Sequence, residues 1–142
     1  MSRSTPGFST TELLVVMTLV GLLVAVAVPR YSAMRDGAAV RAAIAETARI
    51  FASAREMAVL RRSVVSVGID TVRGVVELHS RGSVLLRREL TSTYRVALAT
   101  NRDSMVYDPR GLGYGLSNLS LVLRRGRASD TFTVSRLGRT RW

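Results

Sequence analysis

The 142-residue sequence contains no cysteine and no lysine, and His79 is its only histidine. Without cysteine the chain can form neither a disulfide framework nor a thiolate metal site, and its redox compartment cannot be read from the sequence. A single histidine supplies too few nitrogen ligands for a zinc set. We therefore expect no metal site and no cofactor.

All 21 basic residues are arginines, and the formal net charge is +11. From residue 61 onward there are fifteen arginines and six acids, a net +9, whereas residues 1–60 carry +2. The exclusive use of arginine is also what a biased genome composition would produce. The uneven distribution nevertheless indicates that the C-terminal half can meet a polyanion or an acidic membrane surface.

Charge is absent from Leu13 to Val28, and the run begins directly after Glu12. A secretory signal peptide is one explanation, since Ala25-x-Ala27 has the spacing of a cleavage site. A transmembrane anchor is another, although sixteen residues are fewer than the roughly twenty that span hydrocarbon. Neither explains an acid at the head of the run, where an ionised side chain is costly to take out of water.

This segment resembles the class III signal of type IV pilins and type II secretion pseudopilins. The family pattern is Gly, then Phe or Met, three variable residues, Glu, an apolar run and a Pro near its far end, matched by Gly7, Phe8, Glu12 and Pro29. The resemblance implies that prepilin peptidase cuts between Gly7 and Phe8 and that Phe8 becomes the N-methylated first residue. It also implies that Glu12 pairs with the N-terminal amine of a neighbouring subunit during assembly.

Beyond Pro29 the apolar spacing is that of an amphipathic helix. We predict one helix from about Phe8 to about Leu60, bent near Pro29 because proline removes a backbone donor and crowds the preceding turn. Asp36-Gly37 is a candidate weak point. The predicted buried stripe is Val40, Ala43, Ile44, Thr47, Phe51, Ala54 and Ala58.

After residue 61 the pattern changes to short segments rich in Val, Leu, Thr and aromatic residues, separated by Gly or Asp. An N-terminal helix followed by strands predicts an α+β, pilin-like domain in which the helix packs on a small antiparallel sheet or two. The expected organisation is a leader peptide (1–7), a transmembrane or filament-core helix (8–29), an amphipathic helix half (30–62) and a β-rich domain (63–142). The predicted strand segments are 63–69, 74–79, 83–90, 94–99, 105–107, 119–124 and 131–135.

Catalysis is not expected from this sequence. A lone histidine in a strand pattern is more often structural than a base, and no serine or aspartate forms a readable arrangement with it. The glycine-rich segment Gly111–Gly115 lacks the strand-to-helix context of a phosphate-binding loop, so turn formation is its expected role.

Two arginine clusters remain as candidate binding residues. Guanidinium groups suit phosphates because their forked donors bond two oxygens at once. If the last two long strands form a hairpin, we expect the two clusters to be neighbours on one edge of the domain. The first cluster, in the expected turn, is Arg124, Arg125 and Arg127, and the second, in the tail, is Arg136, Arg139 and Arg141 around Gly138.

The domain also resembles the family that joins the H-type minor pseudopilins of type II secretion with the FimT-type minor pilins. The matching patterns are the loop Tyr107-Asp108-Pro109-Arg110-Gly111 and the terminal Gly138-Arg139-x-Arg141. In FimT-type pilins the Gly-Arg-x-Arg segment is implicated in DNA binding during uptake, which implies the same role for Gly138, Arg139 and Arg141. A terminal Gly-Arg also occurs in family members that move proteins.

Two functions therefore stay open. The first is a minor pilin that binds double-stranded DNA through non-specific phosphate contacts. The second is a structural minor pseudopilin that contacts other tip subunits or an exported protein. Both imply prepilin peptidase and other pilin subunits as partners. Both also imply a single-pass protein of the bacterial inner membrane, with its globular domain in the periplasm, that then joins a filament.

Overall fold

The computed structural model describes residues 9–114 and 118–142. The chain divides into two compact units, Met1–Met34 and Arg35–Trp142, and the helix α1 contributes to both. The elements in chain order are α1 (Thr10–Leu60), β1 (Val65–Asp70), β2 (Val75–Ser80), β3 (Ser83–Glu89), α2 (Leu90–Tyr94), β4 (Ala97–Thr100), β5 (Ser104–Tyr107), β6 (Gly113–Tyr114), β7 (Leu119–Arg125), β8 (Ala128–Val134) and β9 (Thr140–Arg141).

The first unit is an apolar helical segment whose large side chains are exposed from Leu13 onward. The helix continues through Pro29. By length and composition α1 is the one helix among the described residues that is able to cross a membrane. An exposed apolar helix of this kind is suited to an inner-membrane anchor, because hydrocarbon rather than protein would cover its surface.

In the second unit, α1 packs against the sheets along one stripe. All seven residues predicted for that stripe are buried, and Ala48 and Ile50 join them. Thr47 is the polar member, and its hydroxyl donates to the Ala43 carbonyl at 2.8 Å, so that it is satisfied inside the core. The helix runs through Asp36-Gly37 without a break, and the weak point there stays a prediction.

Two antiparallel sheets form the rest of the second unit. The five-stranded sheet has the order β3-β2-β1-β5-β6, and the four-stranded sheet has the order β4-β7-β8-β9. Side chains of both sheets and of α1 belong to one hydrophobic core that includes Phe51, Leu78, Leu121 and Phe132. The predicted α+β class, with a long N-terminal helix packed on a small antiparallel β-domain, is confirmed.

Each predicted strand segment overlaps a strand, and the differences lie at the ends. The expected strand from Tyr94 begins only at Ala97, because the five-residue helix α2 intervenes and Arg95 ends it with a left-handed φ of 55°. The strands β6 and β9 were not predicted. Each is two residues long, too short for an alternating pattern to appear in sequence.

Candidate nucleic-acid interface

The β7–β8 hairpin separates the two arginine clusters. Arg125 pairs with Ala128 at the closed end, whereas Leu119 pairs with Val134 at the open end, from which the tail continues. Six residues of strand at about 3.3 Å each place the two ends roughly 20 Å apart. The expectation that both clusters are neighbours on one edge is therefore wrong, because the tail leaves from the end of β8 farthest from the turn.

At the closed end Arg125 is held by groups of its own domain. Its Nε lies 2.9 Å from Oδ1 of Asp36, and its Nη1 donates to the Tyr94 carbonyl at 2.7 Å. The two charged side chains are 17% and 25% exposed. Gly126 follows with φ +54°, and a Cβ there would collide with the Asp36 carboxylate. Arg125 thus anchors the turn to α1, and the prediction that it contacts DNA gives way to this structural role.

The other two arginines of the turn, Arg124 and Arg127, are exposed. Among the described residues, no ion pair involves either of them. They remain chemically able to meet an anion, but they lie at the end of the hairpin opposite to the tail.

The tail forms a tight turn between β8 and β9. Gly138 N donates to the Ser135 carbonyl at 2.8 Å, and Ser135 N donates to the Arg139 carbonyl at 2.8 Å. The Ser135 hydroxyl accepts from Arg139 N at 3.1 Å. After the turn, Arg141 pairs with Thr133 of β8. The arginines of this tail are consequently carried on ordered backbone, which lowers the entropy lost when they bind a ligand.

Gly138 is buried where the turn meets the loop after β5. Its φ is +73°, and a Cβ would lie 3.1 Å from the Gly111 carbonyl oxygen and 3.3 Å from Cε1 of Tyr107. The position therefore requires glycine both for its backbone conformation and for its close contact. The two short patterns noted in the sequence, the Tyr-x-Pro-x-Gly loop and the terminal Gly-Arg-x-Arg, are packed against each other.

Arg55 of α1 lies beneath this junction. Added Cβ atoms at Gly111 and Gly138 would lie 3.3 Å from Cγ and 3.6 Å from Cδ of Arg55, respectively. Burial raises the pKa of Tyr107 to about 12, and the charge of Arg55 opposes that rise. No local sequence pattern assigns this role to Arg55. The one signal available in the sequence is its position one helical turn from Phe51, beside the buried stripe.

Three arginines of the tail point away from this support. Arg136, Arg139 and Arg141 are exposed, and none of the ion pairs within the described residues includes them. Beside them is an open cavity of about 560 Å³, lined by Asn118, Thr133, Ser135, Leu137, Arg139, Thr140 and Arg141. Two guanidinium groups and several hydroxyl or amide groups converge there, which is a donor set suited to phosphate oxygens.

Trp142 directly follows Arg141, which lines this cavity. Its ring stacks on Phe132 with centroids 6.1 Å apart, yet 65% of the residue is exposed. Phe132 is itself packed on Phe51 in the core, at 5.2 Å. One face of the indole is thereby packed on Phe132, while its exposed surface is available for stacking on a base or sugar.

The remaining candidates are placed as follows. His79 Nε2 lies 3.3 Å from a carboxylate oxygen of Glu77. In residues 9–114 and 118–142 no cluster of three potential metal ligands occurs.

The residues predicted to act in processing and assembly are at the N-terminus. Glu12 lies in the first turn of α1. Gly7 and Phe8 lie outside the described residues, as does Gly115 of the glycine-rich loop.

Comparison with known proteins identifies the family. The family described as "Type II transport protein GspH" matches residues 43–138, more than half of the chain. A search of curated protein sequences gave no match. The chain belongs to the GspH family of minor pilins and pseudopilins, which are structural subunits.

Solved structures share the fold. The type IV minor pilin FimU of Pseudomonas aeruginosa superposes with a TM-score of 0.61 at 14% identity, covering 72% of this chain and 86% of that one. The minor pseudopilin EpsH of the Vibrio cholerae type 2 secretion system superposes with a TM-score of 0.56 at 12% identity, covering 72% and 94%. One relative is named as a pilus subunit and the other as a secretion subunit, so the fold is common to both.

Proposed function

We propose that the chain is a minor pilin that joins a type IV pilus-like filament and binds double-stranded DNA through its arginine tail. Prepilin peptidase would remove residues 1–7 and Phe8 would be N-methylated. Residues 8–29 would serve as the inner-membrane and filament-core helix, residues 30–62 as the amphipathic half, and residues 63–142 as the periplasmic β-rich domain.

Assembly would depend on Glu12. The carboxylate precedes a run without charge, where it is stable only with a cationic partner, and the amine of Phe8 on a neighbouring subunit would supply one. Replacing Glu12 by Ala should leave peptidase cleavage nearly intact and impair incorporation into filaments. Cleavage and filament fractions are separated by immunoblot, with Glu12→Asp as the control. Normal incorporation of Glu12→Ala would refute the pairing.

The observation that carries the DNA proposal is the tail itself. Gly138 fixes the turn, and Arg136, Arg139 and Arg141 are exposed on it without ion pairs in the described parts of the chain. If these arginines only solvated an exposed strand end, neither a rigid turn nor a cavity lined by two guanidinium groups would be required. Contacts of this kind bind phosphates without reading bases, so affinity would be similar for all sequences and would fall with salt.

Titration of a labelled duplex with the full chain in non-ionic detergent tests this proposal. Fluorescence anisotropy at several salt concentrations gives the affinity and its salt slope. Loss of two phosphate contacts in the variant carrying Arg139→Ala and Arg141→Ala should reduce the slope by about 2 and weaken binding by on the order of tenfold or more. An unchanged slope would remove the tail from the interface.

The alternative is a structural pseudopilin of type II secretion, and one observation favours it. An apolar groove of about 400 Å³ runs beside the tail, lined by Phe51, Ala52, Arg55, Glu56, Val59, Leu60, Gly138 and Thr140. Leu60 is 73% exposed there. Exposed apolar surface is suited to contact with another subunit. Absence of DNA binding at near-physiological salt, together with loss of filament tip subunits in Leu60→Asp, would favour this alternative.

A further inference from the structure

Three chain segments meet at the end of the domain where α1 ends. Val65, the first residue of β1, pairs with Ser80 on one side and with Tyr107 on the other. Strands in a sheet are about 4.8 Å apart, so these three positions lie within roughly 10 Å of one another. The segments that extend beyond them are residues 61–64, the turn Arg81-Gly82 and the loop 108–112. We call this surface the helix-end face.

The helix-end face contains a cleft with phosphate-binding chemistry. Its volume is about 540 Å³ and its lining residues are Arg61, Ser80, Arg81, Ser83 and Leu85. Arg61 and Arg81 are exposed, and neither takes part in an ion pair between described residues. Two forked guanidinium groups and two hydroxyl groups around one cleft form a donor set that suits a phosphodiester.

Backbone conformation points to the same surface. Arg62 closes α1 with φ 46°, and its N–H donates to Val59 while Ser63 N donates to Ala58, a helix end at which glycine is usual. Arg81 has φ 51° and precedes Gly82 in a two-residue hairpin turn, where asparagine or glycine is preferred. Arg62 and Arg81 are exposed, and each adopts a left-handed conformation that costs a residue other than glycine roughly 1 kcal/mol.

Acids are scarce on this face. Asp108 is the acid of its loop, and its Oδ1 accepts from Arg110 N at 2.9 Å and from Leu112 N at 2.8 Å, so its charge serves the loop's own backbone. The side chain of Arg110 is exposed beside it. The loop is joined to the tail by the hydrogen bond from Gly113 N to the Arg136 carbonyl, at 3.0 Å. Arg110 therefore lies between the tail and the cleft, and Glu56, in the apolar groove beside Gly138, is the acid near this path.

We propose that the cleft of Arg61, Arg81, Ser80 and Ser83 binds a second phosphate group of the duplex held by the tail. This subsite rests on the proposed DNA-binding function and extends it. The duplex lies across the helix-end face, and its backbone contacts the tail at one side and the cleft at the other. The exposed turn arginines Arg124 and Arg127, at the opposite end of the hairpin, take no part.

The test compares four forms of the full chain in detergent, each titrated with a labelled duplex over a series of salt concentrations. The cleft variant carries Arg61→Gln and Arg81→Asn, because asparagine tolerates the left-handed conformation. The matched control carries Arg124→Gln and Arg127→Gln, which removes the same charge from the opposite end. The other two forms are the tail variant, with Arg139 and Arg141 replaced by Ala, and the unaltered chain. Thermal melting establishes that each of the four is folded. In addition to these four forms, the single variant Arg61→Gln tests the cleft without any change in the hairpin turn.

We expect the cleft variant to weaken binding on the order of tenfold and to reduce the salt slope by about 2, while the control variant leaves the slope nearly unchanged. Binding that depends on the tail but is equal in the cleft variant and the unaltered chain would overturn the cleft and leave the proposed function standing. Equal losses in the cleft and control variants would also overturn the cleft, since net charge alone would explain them. If the unaltered chain does not bind, the proposed function fails, and the cleft proposal fails with it.

Discussion

The two ends of the β7–β8 hairpin carry arginines in similar number and use them differently. At the closed end, Arg125 is half-buried and its guanidinium is bonded to Asp36 and to the Tyr94 carbonyl. At the open end, the tail buries Gly138 and leaves Arg139 and Arg141 in solvent. The partners of an arginine therefore decide what it can bind, because a guanidinium already bonded to a carboxylate has few donors left for a phosphate.

A glycine allows a close contact at each end of the hairpin, but the two contacts have different consequences for the nearby arginines. Gly126 permits the turn to approach the Asp36 carboxylate and so completes the anchor. Gly138 permits the tail to approach the loop carbonyl of Gly111, which holds the neighbouring arginines outward. Three substitutions test this contrast between the anchored end and the exposed end, each at a different point.

The largest effect on stability is expected for Arg125→Ala. The change leaves the Asp36 carboxylate and the Tyr94 carbonyl without their charged donor in a half-buried site, so the free energy of unfolding should fall by about 3 kcal/mol. Chemical denaturation measures it. The control Arg124→Ala, at an exposed position, should change stability by no more than about 0.5 kcal/mol. If the two variants are equally stable, Arg125 is not an anchor.

A smaller effect is expected from titration of Tyr107, which supports the tail. Burial raises its pKa from the ordinary value of 10 to about 12, so folding favours the neutral phenol. This stabilisation is fully present below pH 10 and is lost as the pH rises toward 12, and the total loss amounts to about 2 kcal/mol. Thermal melting from pH 9 to pH 12 should show a steeper decline for the unaltered chain than for Tyr107→Phe.

The exposed Tyr114 supplies the control for this pH dependence. Folding leaves this phenol in solvent, because 74% of the residue is exposed. Tyr114→Phe should therefore follow the unaltered chain at every pH. A decline in Tyr107→Phe as steep as in the unaltered chain would mean that another group causes the loss.

The smallest loss of stability, with a distinct loss of binding, is expected for Gly138→Ala. A side chain at φ +73° is strained, and its Cβ would press on the Gly111 carbonyl oxygen, together costing about 1 to 2 kcal/mol. Gly82→Ala isolates the backbone strain, because Gly82 has φ +81° with nothing within 4 Å of an added Cβ. DNA affinity should fall in Gly138→Ala, although every tail arginine is retained. Gly82→Ala is compared for stability only, because Gly82 adjoins Arg81 of the cleft. Equal DNA affinity in Gly138→Ala and the unaltered chain would show that the tail turn does not position its arginines.

Local pattern was sufficient to predict the helix and most strands. The stripe from Val40 to Ala58 has helical spacing because one face must be covered, and all seven of its predicted members are buried. Strand segments such as 119–124 alternate because one face of a sheet is buried. The short helix α2 and the two-residue strands were not predicted, because elements of so few residues are too short to show the apolar periodicity of a helix or a strand.

The sequence predicts the part of the candidate site whose residues are close together in the chain, and it does not predict contacts between distant residues. The exposed tail arginines are adjacent in sequence, so their clustering needs no fold. Asp36 and Arg125 are 89 positions apart, and no local pattern predicts that they meet. The same holds for Arg55 beneath Gly111 and Gly138, and for Arg61 and Arg81 at one cleft.

Local sequence specifies the apolar run after Glu12, the amphipathic stripe that follows it, the alternating strands and the excess of arginine in the C-terminal half, because each is a property of neighbours along the chain. The fold sets which arginines of the described residues are bonded to an acid, as Arg125 is to Asp36. Strand register placed the turn and the tail at opposite ends of the hairpin, and it brought residues 61, 81 and 110 to one face. Register depends on pairing between distant segments, and that pairing is fixed only when the core closes.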